Sequence, residues 1–419
     1  MQIDPIQLLQ SALDLTLFSY LREVFAEDPT ALLIVNILVV LSLATVPLLS
    51  VFVVGWVERK VLARMQDRIG PNRVGGRYGL LQMVADVVKM MTKEVIVPAG
   101  ADKWAYFAAP ILALMTSVLL FAALPLAPAV IGVDLNIAVF YFLAISSVSV
   151  VAILLAGWGS NNKYALLGAF RAVAQLVSYE VPMILSLLVP IILARTMSTV
   201  GLVEAQNIPF IVFVPVAALV FFISALAETG RSPFDLLEAE SEIVAGFHTE
   251  YTGMYFGLFM AGEYIAIMFM CIFFSTAFLG GYRFFGLEEL VVGNGFYLGN
   301  LLGAAALLLK SAGIFFIFMW LRGTLPRFRI DQLLNFNWKF MVPLSLALLF
   351  TVAILDKLIF IWFPNVPDLG RALIHLLSNL LIAAVTIELV RYRIKRQRQT
   401  EEISEETETA PELEPAPAH

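Results

Sequence analysis

Long apolar runs alternate with short polar segments along most of the chain. Each run is about long enough to cross a ~30 Å hydrocarbon core as an α-helix. The pattern therefore predicts an all-α polytopic membrane protein with about nine transmembrane helices. The predicted spans are Leu32–Val57, Trp104–Leu124, Ile137–Gly157, Ala172–Ala194, Ile208–Ala227, Met254–Leu279, Leu301–Leu321, Met341–Phe363 and Ala372–Val390.

Two further segments have helical periodicity but too many polar residues to span a membrane. In residues 1–28 and again in residues 79–93, apolar side chains recur at helical spacing opposite polar ones, as in helices that lie along a membrane surface. The predicted organisation is an N-terminal interfacial segment at 1–31 and a transmembrane domain at 32–390. Cytoplasmic loops lie at 58–103, 228–253 and 322–340, and a tail at 391–419 is first basic, then acidic and disordered.

The distribution of basic residues predicts the orientation in the membrane. If the 58–103 loop is cytoplasmic and the spans alternate, 21 of the 27 Lys and Arg residues fall on the cytoplasmic side. This asymmetry agrees with the positive-inside rule. It predicts a multi-pass membrane protein with the long loops and the C-terminus in the cytoplasm.

Composition restricts the chemistry that this chain can perform. Charged residues are 14% of its 419 residues, against roughly 25% in ordinary soluble domains. Its single cysteine, Cys271, excludes a disulfide framework and a Cys-ligated Fe–S cluster. The three histidines are far apart in sequence, which disfavours a bis-His haem, and we expect no metal site. The chain lacks the ligands to carry electrons itself, and ordinary arguments from net charge to nucleic-acid binding do not apply to it.

The most acidic part of the membrane-embedded region is the segment from Glu228 to Tyr251. It holds six carboxylates against one base, Arg231. Crowded carboxylates disfavour each other's ionisation, so such a cluster can exchange protons when a nearby charge changes. Two more acids, Glu180 and Glu263, interrupt apolar spans, where an ionisable group costs about 2.5–3.5 kcal/mol. We expect them to face the helix bundle as proton-relay sites.

Within the acidic segment, the sequence Ser-Pro-Phe-Asp indicates the start of a helix. Ser232 would be the N-cap, Pro233 the first helical residue and Asp235 the third. In such a helix Asp235, Glu238 and Glu242 would share one face and Glu240 would point elsewhere.

Four long motifs resemble those of a membrane component of the proton-pumping NADH–quinone oxidoreductase, respiratory complex I, namely its H subunit. The resemblance covers about Leu32 to Phe363. In chain order the motifs are ERKVLARMQDRIGPNRVG from Glu58, GWGSNNKYALLGAFRAVAQLVSYEVP from Gly157, AETGRSPFDLLEAESEIVAGFHTEYTG from Ala227 and LPRFRIDQLLNFNWK from Leu325.

The resemblance implies a membrane protein that joins the membrane arm to the hydrophilic arm and forms most of the chamber through which quinone, the substrate, reaches a partner's Fe–S cluster. Its helices would partly resemble half of an antiporter-like unit. The partners implied are the other membrane subunits, membrane lipid, and the hydrophilic-arm subunits that hold the Fe–S clusters and FMN. No residue of this chain would be catalytic.

The residues that match the family's sites fall into two groups. Those matching the quinone chamber are Arg59, Asp86, Arg231 and Phe256, with Glu238, Glu240 and Glu242 of the acidic segment. Those matching the proton path are Glu180, Glu228, Glu250 and Glu263.

Two other classes of protein share parts of this pattern. The membrane anchor of an energy-converting hydrogenase or formate hydrogenlyase would have the same fold and would be distinguished by its neighbouring genes. A stand-alone secondary ion transporter would carry ions in vesicles without partners, whereas the complex I interpretation predicts no flux from the isolated chain.

Overall fold

The computed structural model describes residues 11–12, 15–26, 28–237, 244–284, 286, 298–362 and 367–409. Within these ranges it is an all-α protein, as predicted. Fourteen α-helices are described, which we number in chain order: α1 Leu17–Val24, α2 Pro29–Met65, α3 Gln82–Thr92, α4 Lys103–Leu119, α5 Ala138–Gly159, α6 Lys163–Ala194, α7 Thr199–Glu204, α8 Phe210–Phe213, α9 Pro215–Glu228, α10 Gly253–Phe278, α11 Leu298–Thr324, α12 Ile330–Phe336, α13 Val342–Trp362 and α14 Asp368–Thr409.

Eight of the described helical segments are long and apolar enough to cross a membrane. They are α2, α4 with the 3₁₀ turn Leu120–Ala123, α5, α6, α10, α11, α12 to α13 as one stretch, and the first part of α14. A single π-helical turn, Asn337–Met341, joins α12 to α13. These eight match eight of the nine predicted spans, so the apolar run lengths located most of the membrane domain.

The remaining predicted span, Ile208–Ala227, is broken in the structure. The four residues of α8 are followed by Val214 in a non-helical conformation and then by α9, which has only 14 residues. Pro215 lacks a backbone N–H and disfavours a helical conformation of the residue before it, and the helix is interrupted at Val214. At 1.5 Å per residue α9 is about 21 Å long, too short to cross a ~30 Å core by itself.

Short polar segments set the helix ends on the side of the 58–103 loop. Asn162 caps α6 by accepting a hydrogen bond from the Tyr164 amide at 2.9 Å, so only residues 160–162 separate α5 from α6. The amphipathic segment predicted at 79–93 forms α3, Gln82–Thr92. At the N-terminal end, α1 is amphipathic as expected.

Two local predictions differ from the structure. The described residues 231–237 form turns and bends rather than a helix starting at Ser232, and the Asp235 carboxylate pairs with Arg327 at 2.9 Å instead of capping a helix. The tail expected to be disordered after Arg398 continues α14 as helical backbone to Thr409, since Arg, Lys, Gln and Glu all have high helix propensity.

The bundle packs around α10, which contacts α2, α4 and α11. Its second half is the most buried part, with Phe269 and Phe273 stacked at 5.4 Å between ring centroids. Phe142 of α5 meets both rings edge-on at 5.1 and 5.0 Å. This tightly packed half fixes the position of the first half of α10, whose side chains line the cavities described next.

Candidate functional site

An apolar cavity of about 500 Å³ lies between α2, α3 and the first half of α10. Its walls include Leu48, Val51, Phe52, Met83, Met90, Met260 and Tyr264. Its polar side chains are Arg59, Asp86, Lys89, Lys93 and Thr252. The Arg59 guanidinium forms an ion pair with Asp86, which also accepts a hydrogen bond from Gln82 Nε2 at 3.1 Å. We call this space the apolar cavity.

Three residues predicted for a quinone chamber, Arg59, Asp86 and Phe256, line the apolar cavity. The fourth, Arg231, lies behind its wall. The Arg231 guanidinium carbon is 5.2 Å from the centroid of the Tyr264 ring, and Tyr264 itself lines the cavity. Arg231 therefore contacts the wall of the cavity through a cation–π interaction with Tyr264.

Arg231 belongs to a buried group of ions that we call the inner ion cluster. Its guanidinium is 3.3 Å from Glu58 Oε1, and Arg322 of α11 pairs with the same oxygen. Glu58 is only 4% exposed and Arg231 only 7%. One carboxylate thus holds two cations and ties together α2, α11 and the segment after α9.

A second, smaller space contains two of the predicted proton-path acids. This carboxylate cavity, of about 80 Å³, is lined by Glu228 at the end of α9 and by Glu263 of α10. Its remaining walls are mostly apolar and include Phe247 and Phe259. Glu228 Oε2 is buried and has no hydrogen-bond partner among the described residues.

The two cavities lie on opposite faces of α10. Phe256, Met260 and Tyr264, four residues apart, line the apolar cavity. Phe259, Glu263 and Ala266, which recur at i, i+4 and i+7, line the carboxylate cavity. Because side chains at these spacings share a helix face, the adjacent residues Glu263 and Tyr264 point into different spaces.

Glu180 of α6 extends the group of acids around α9. It is half-buried, and its side chain lies near Ser146 of α5. Its carboxylate is close enough to Glu228 for the two charges to repel each other. The structure therefore brings Glu180, Glu228 and Glu263 into one neighbourhood, although they come from three different helices.

Glu250 has a different environment. Asn162 Nδ2, at the start of α6, donates a hydrogen bond to its carboxylate at 2.6 Å, and the Tyr106 hydroxyl donates to its backbone oxygen at 2.9 Å. The neighbouring Tyr251 donates to the Tyr106 carbonyl at 2.9 Å. Burial raises the pKa of the Tyr251 phenol. These bonds fix the end of the acidic segment, at Glu250 and Tyr251, onto α4 and the start of α6.

Gly168 is where α6 touches the acidic segment most closely. A Cβ added there would lie 2.7 Å from the carbonyl carbon of Gly246, so only glycine permits this approach. Phe247 and Phe259 then meet at 5.3 Å between centroids and form part of the wall of the carboxylate cavity.

Three predicted residues, Glu238, Glu240 and Glu242, lie outside the described residues. Conversely, sequence reasoning did not single out Glu58, Arg322 or Tyr264. Glu58 directly follows an apolar span and precedes two bases, which resembles an ordinary membrane boundary. Nothing in the local sequence signals that its partners lie 173 and 264 positions further along the chain.

Possible metal ligands are not gathered in the part of the chain that the structure describes. No group of three or more His, Cys, Asp or Glu side chains there is placed to hold a metal ion. Cys271 is buried in α10.

Comparison with known proteins identifies the family. The NADH dehydrogenase family model matches residues 36–353. A relative from Dehalococcoides mccartyi strain CBDB1 is 47% identical over 301 residues, which cover 72% of this chain and 81% of the relative. One from Geobacillus thermodenitrificans is 43% identical over 325 residues, covering 77% and 93%. Both relatives are named as the H subunit of NADH-quinone oxidoreductase, and the chain belongs to this family.

Proposed function

We propose that the apolar cavity admits quinone and that the carboxylate cavity couples quinone reduction to proton translocation. Family membership makes the chain a membrane subunit of NADH-quinone oxidoreductase, respiratory complex I. The proposal assigns the two steps to two sides of one helix. Electrons reach the quinone from a partner that holds an Fe–S cluster, and FMN belongs to the partners as well.

The size and lining of the apolar cavity support its role as quinone chamber. Its volume of about 500 Å³ falls within the range of roughly 300–1,000 Å³ for small-molecule sites. Apolar walls suit an isoprenoid tail. The Arg59–Asp86 pair and the neighbouring lysines give a polar region that suits a quinone head on its way to the hydrophilic arm.

The observation that carries the coupling proposal is the placement of Glu263 beside Tyr264. Tyr264 lines the apolar cavity and touches Arg231 of the inner ion cluster. Glu263 lines the carboxylate cavity together with Glu228. The two cavities are therefore separated only by the width of α10. A change in the charge or position of groups in the apolar cavity occurs one helix width from Glu228 and Glu263.

In the proposed sequence of events, quinone reduction takes up two electrons and two protons. The protons are drawn at the partner's site, which leaves a transient charge imbalance beside the acidic segment. The carboxylates of that segment and of the carboxylate cavity respond by changing their protonation. The altered charge at Glu180, Glu228 and Glu263 acts on neighbouring membrane subunits, which move protons outward. The proposed orientation keeps the 58–103 loop, the acidic segment and α12 on the cytoplasmic side of a bacterial inner membrane.

The substitution Glu263→Gln tests the coupling. It keeps the size of the side chain and removes its charge change, so we expect proton pumping coupled to quinone reduction to fall by at least about fivefold while the complex still assembles. Glu388→Gln, at an exposed carboxylate of α14, is the matched control. Measurements are proton uptake in inverted vesicles and the amount of intact complex on native gels. Normal pumping by the Glu263→Gln enzyme would refute the relay.

A further inference from the structure

An apolar groove on the other side of the bundle has no part in the proposed function. It has a volume of about 560 Å³ and lies between α9, α12, the end of α11 and the turn after α9. We call it the aromatic groove. Its lining includes Phe222, Leu226, Pro233, Phe234, Phe328 and Phe336.

The aromatic groove lies where the hydrocarbon meets the polar surface on the side of the acidic segment. Its upper wall is formed by α9 and α11, both apolar, near their ends on that side. Trp320 near the end of α11 and Trp338 after α12 are exposed, and tryptophan is the residue type enriched where a membrane protein meets the interface. The groove is therefore open to lipid chains along α9 and α11 and to headgroups near α12.

Residues 322–340, which supply one wall of the aromatic groove, are basic. They contain four bases and one acid, Asp331. Two of the bases, Arg322 and Arg327, hold carboxylates of the fold. Arg329, next to Phe328, and Lys339, three residues after Phe336, are exposed. An anion with an apolar chain matches this combination of apolar lining and basic residues.

We propose that the aromatic groove binds an anionic phospholipid of the cytoplasmic leaflet. One acyl chain fills the groove against Phe222, Phe234 and Phe336. The phosphate lies beside residues 322–340, where Arg329 and Lys339 attract it, as basic side chains at a membrane surface attract anionic headgroups.

The bound lipid would brace the turn that carries Arg231. Ser232 Oγ donates to the Leu325 carbonyl at 3.2 Å, and the Phe328 amide donates to the Pro233 carbonyl at 3.1 Å. Pro233 and Phe234 are at once part of this turn and part of the groove. Filling the groove therefore supports the position of the inner ion cluster from its far side.

The test compares two tryptophan substitutions on the same helix. Leu321→Trp places bulk in the aromatic groove, which Leu321 lines, whereas Leu309→Trp lies on a surface that is 74% exposed. The intact complex is purified in mild detergent, incubated with phosphatidylglycerol or phosphatidylethanolamine, and its retained lipids are counted by native mass spectrometry. We expect one phosphatidylglycerol to be retained by the wild type and the Leu309→Trp variant and lost from the Leu321→Trp variant.

Arg329→Gln tests the headgroup without altering the groove. We expect phosphatidylglycerol to bind about fivefold more weakly to this variant, and binding of phosphatidylethanolamine to be unchanged. Equal lipid retention in the two tryptophan variants would overturn the site. Equal binding of both lipids to the wild type would overturn the anionic headgroup. Displacement of the lipid by a quinone analogue, or a helix of a partner protein found in the groove, would overturn the choice of occupant.

Discussion

Two buried ion clusters of similar composition lie at opposite ends of the bundle. In the inner ion cluster Glu58 holds Arg231 at 3.3 Å and also pairs with Arg322. In the second, which we call the outer ion cluster, Asp356 of α13 holds Arg371 at 2.5 Å and Arg195 at 3.6 Å. Each has one buried carboxylate between two arginines, and in the outer ion cluster the buried His375 Nε2 also lies 3.5 Å from Asp356.

The clusters differ in what their arginines touch next. In the outer ion cluster, Arg371 donates to the Leu193 carbonyl at 3.3 Å and so ties α14 to α6. Arg195 lies 4.6 Å from the centroid of the exposed Phe360 ring. Neither Leu193 nor Phe360 lines the apolar cavity or the carboxylate cavity. Arg231 of the inner ion cluster ends on the ring of Tyr264, which lines the apolar cavity. We therefore predict that the two clusters differ in function because of what their arginines contact next, since both contain a buried carboxylate.

Replacing Glu58 should have the largest effect. Glu58→Ala leaves Arg231 and Arg322 without their shared carboxylate, and breaking a buried ion pair costs about 3–5 kcal/mol. We expect loss of quinone reduction together with a lower thermal stability of the complex. Enzyme assays and thermal unfolding of the purified complex measure the two effects, with Glu388→Ala as the exposed control. Normal turnover in a stable Glu58→Ala complex would remove the distinction between the clusters.

Asp356→Ala should have the next largest effect, on stability alone. The Arg195 side chain is 56% exposed and that of Arg371 27%, so both can turn toward water, and we expect a loss of about 1.5–3 kcal/mol. Turnover at moderate temperature should stay near the wild-type value. The measurements are heat-induced dissociation of the chain from the complex and the quinone reductase rate. A variant that assembles and melts normally but has lost turnover would show that the outer ion cluster is also coupled to the site.

Gly168→Ala tests whether displacing the acidic segment, with the inner ion cluster unchanged, is enough to slow coupled turnover. The added methyl group would press on Gly246, and overpacking costs about 1–3 kcal/mol. We expect slower coupled turnover with both ion clusters intact. Gly313→Ala is the control, since its new Cβ meets nothing within 4 Å. If the two variants had equal coupled rates, the position of the acidic segment would not matter for coupling.

Tyr251→Phe should have the smallest effect. Burial raises the pKa of this phenol, so it stays protonated below its ordinary pKa of about 10 and contributes no pH dependence there. Loss of its hydrogen bond to the Tyr106 carbonyl should cost about 1 kcal/mol. The pH–rate profile from pH ~6 to ~9 should keep its shape. A changed profile would mean that this tyrosine takes part in proton transfer.

The sequence predicts the membrane domain well because helix length and apolar composition are local properties. Eight spans follow directly from run length. The exception is the run from Ile208, where hydropathy continues across Pro215 although the backbone does not. A hydropathy average does not detect a missing backbone donor. The proline by itself does not locate the break either, because Pro47, Pro182 and Pro190 lie inside continuous helices.

Local sequence features predict less of the candidate site than of the membrane domain. The resemblance implied Arg59, Asp86 and Phe256 for one chamber, and these three residues line one cavity. The interrupting charge of Glu263 indicated an acid that faces the bundle, and Glu263 lines the carboxylate cavity. The pairing of Glu58 with Arg231 and Arg322 depends on how α2 and α11 pack in three dimensions. The expected helix at Ser232 failed because Asp235 has a stronger partner, Arg327, than the backbone amides of a new helix.

Because the two faces of α10 line different cavities, the number of residues at the start of this helix determines which side chains enter each cavity. One residue inserted between Gly253 and Phe256 would rotate the rest of α10 by about 100° relative to its start. Tyr264 would then no longer face the apolar cavity, and Glu263 would no longer face the carboxylate cavity. Seven inserted residues would complete nearly two turns and restore the azimuth while displacing the helix along its axis. Natural insertions and deletions in this lineage should therefore avoid the start of α10 and collect in the connections between spans.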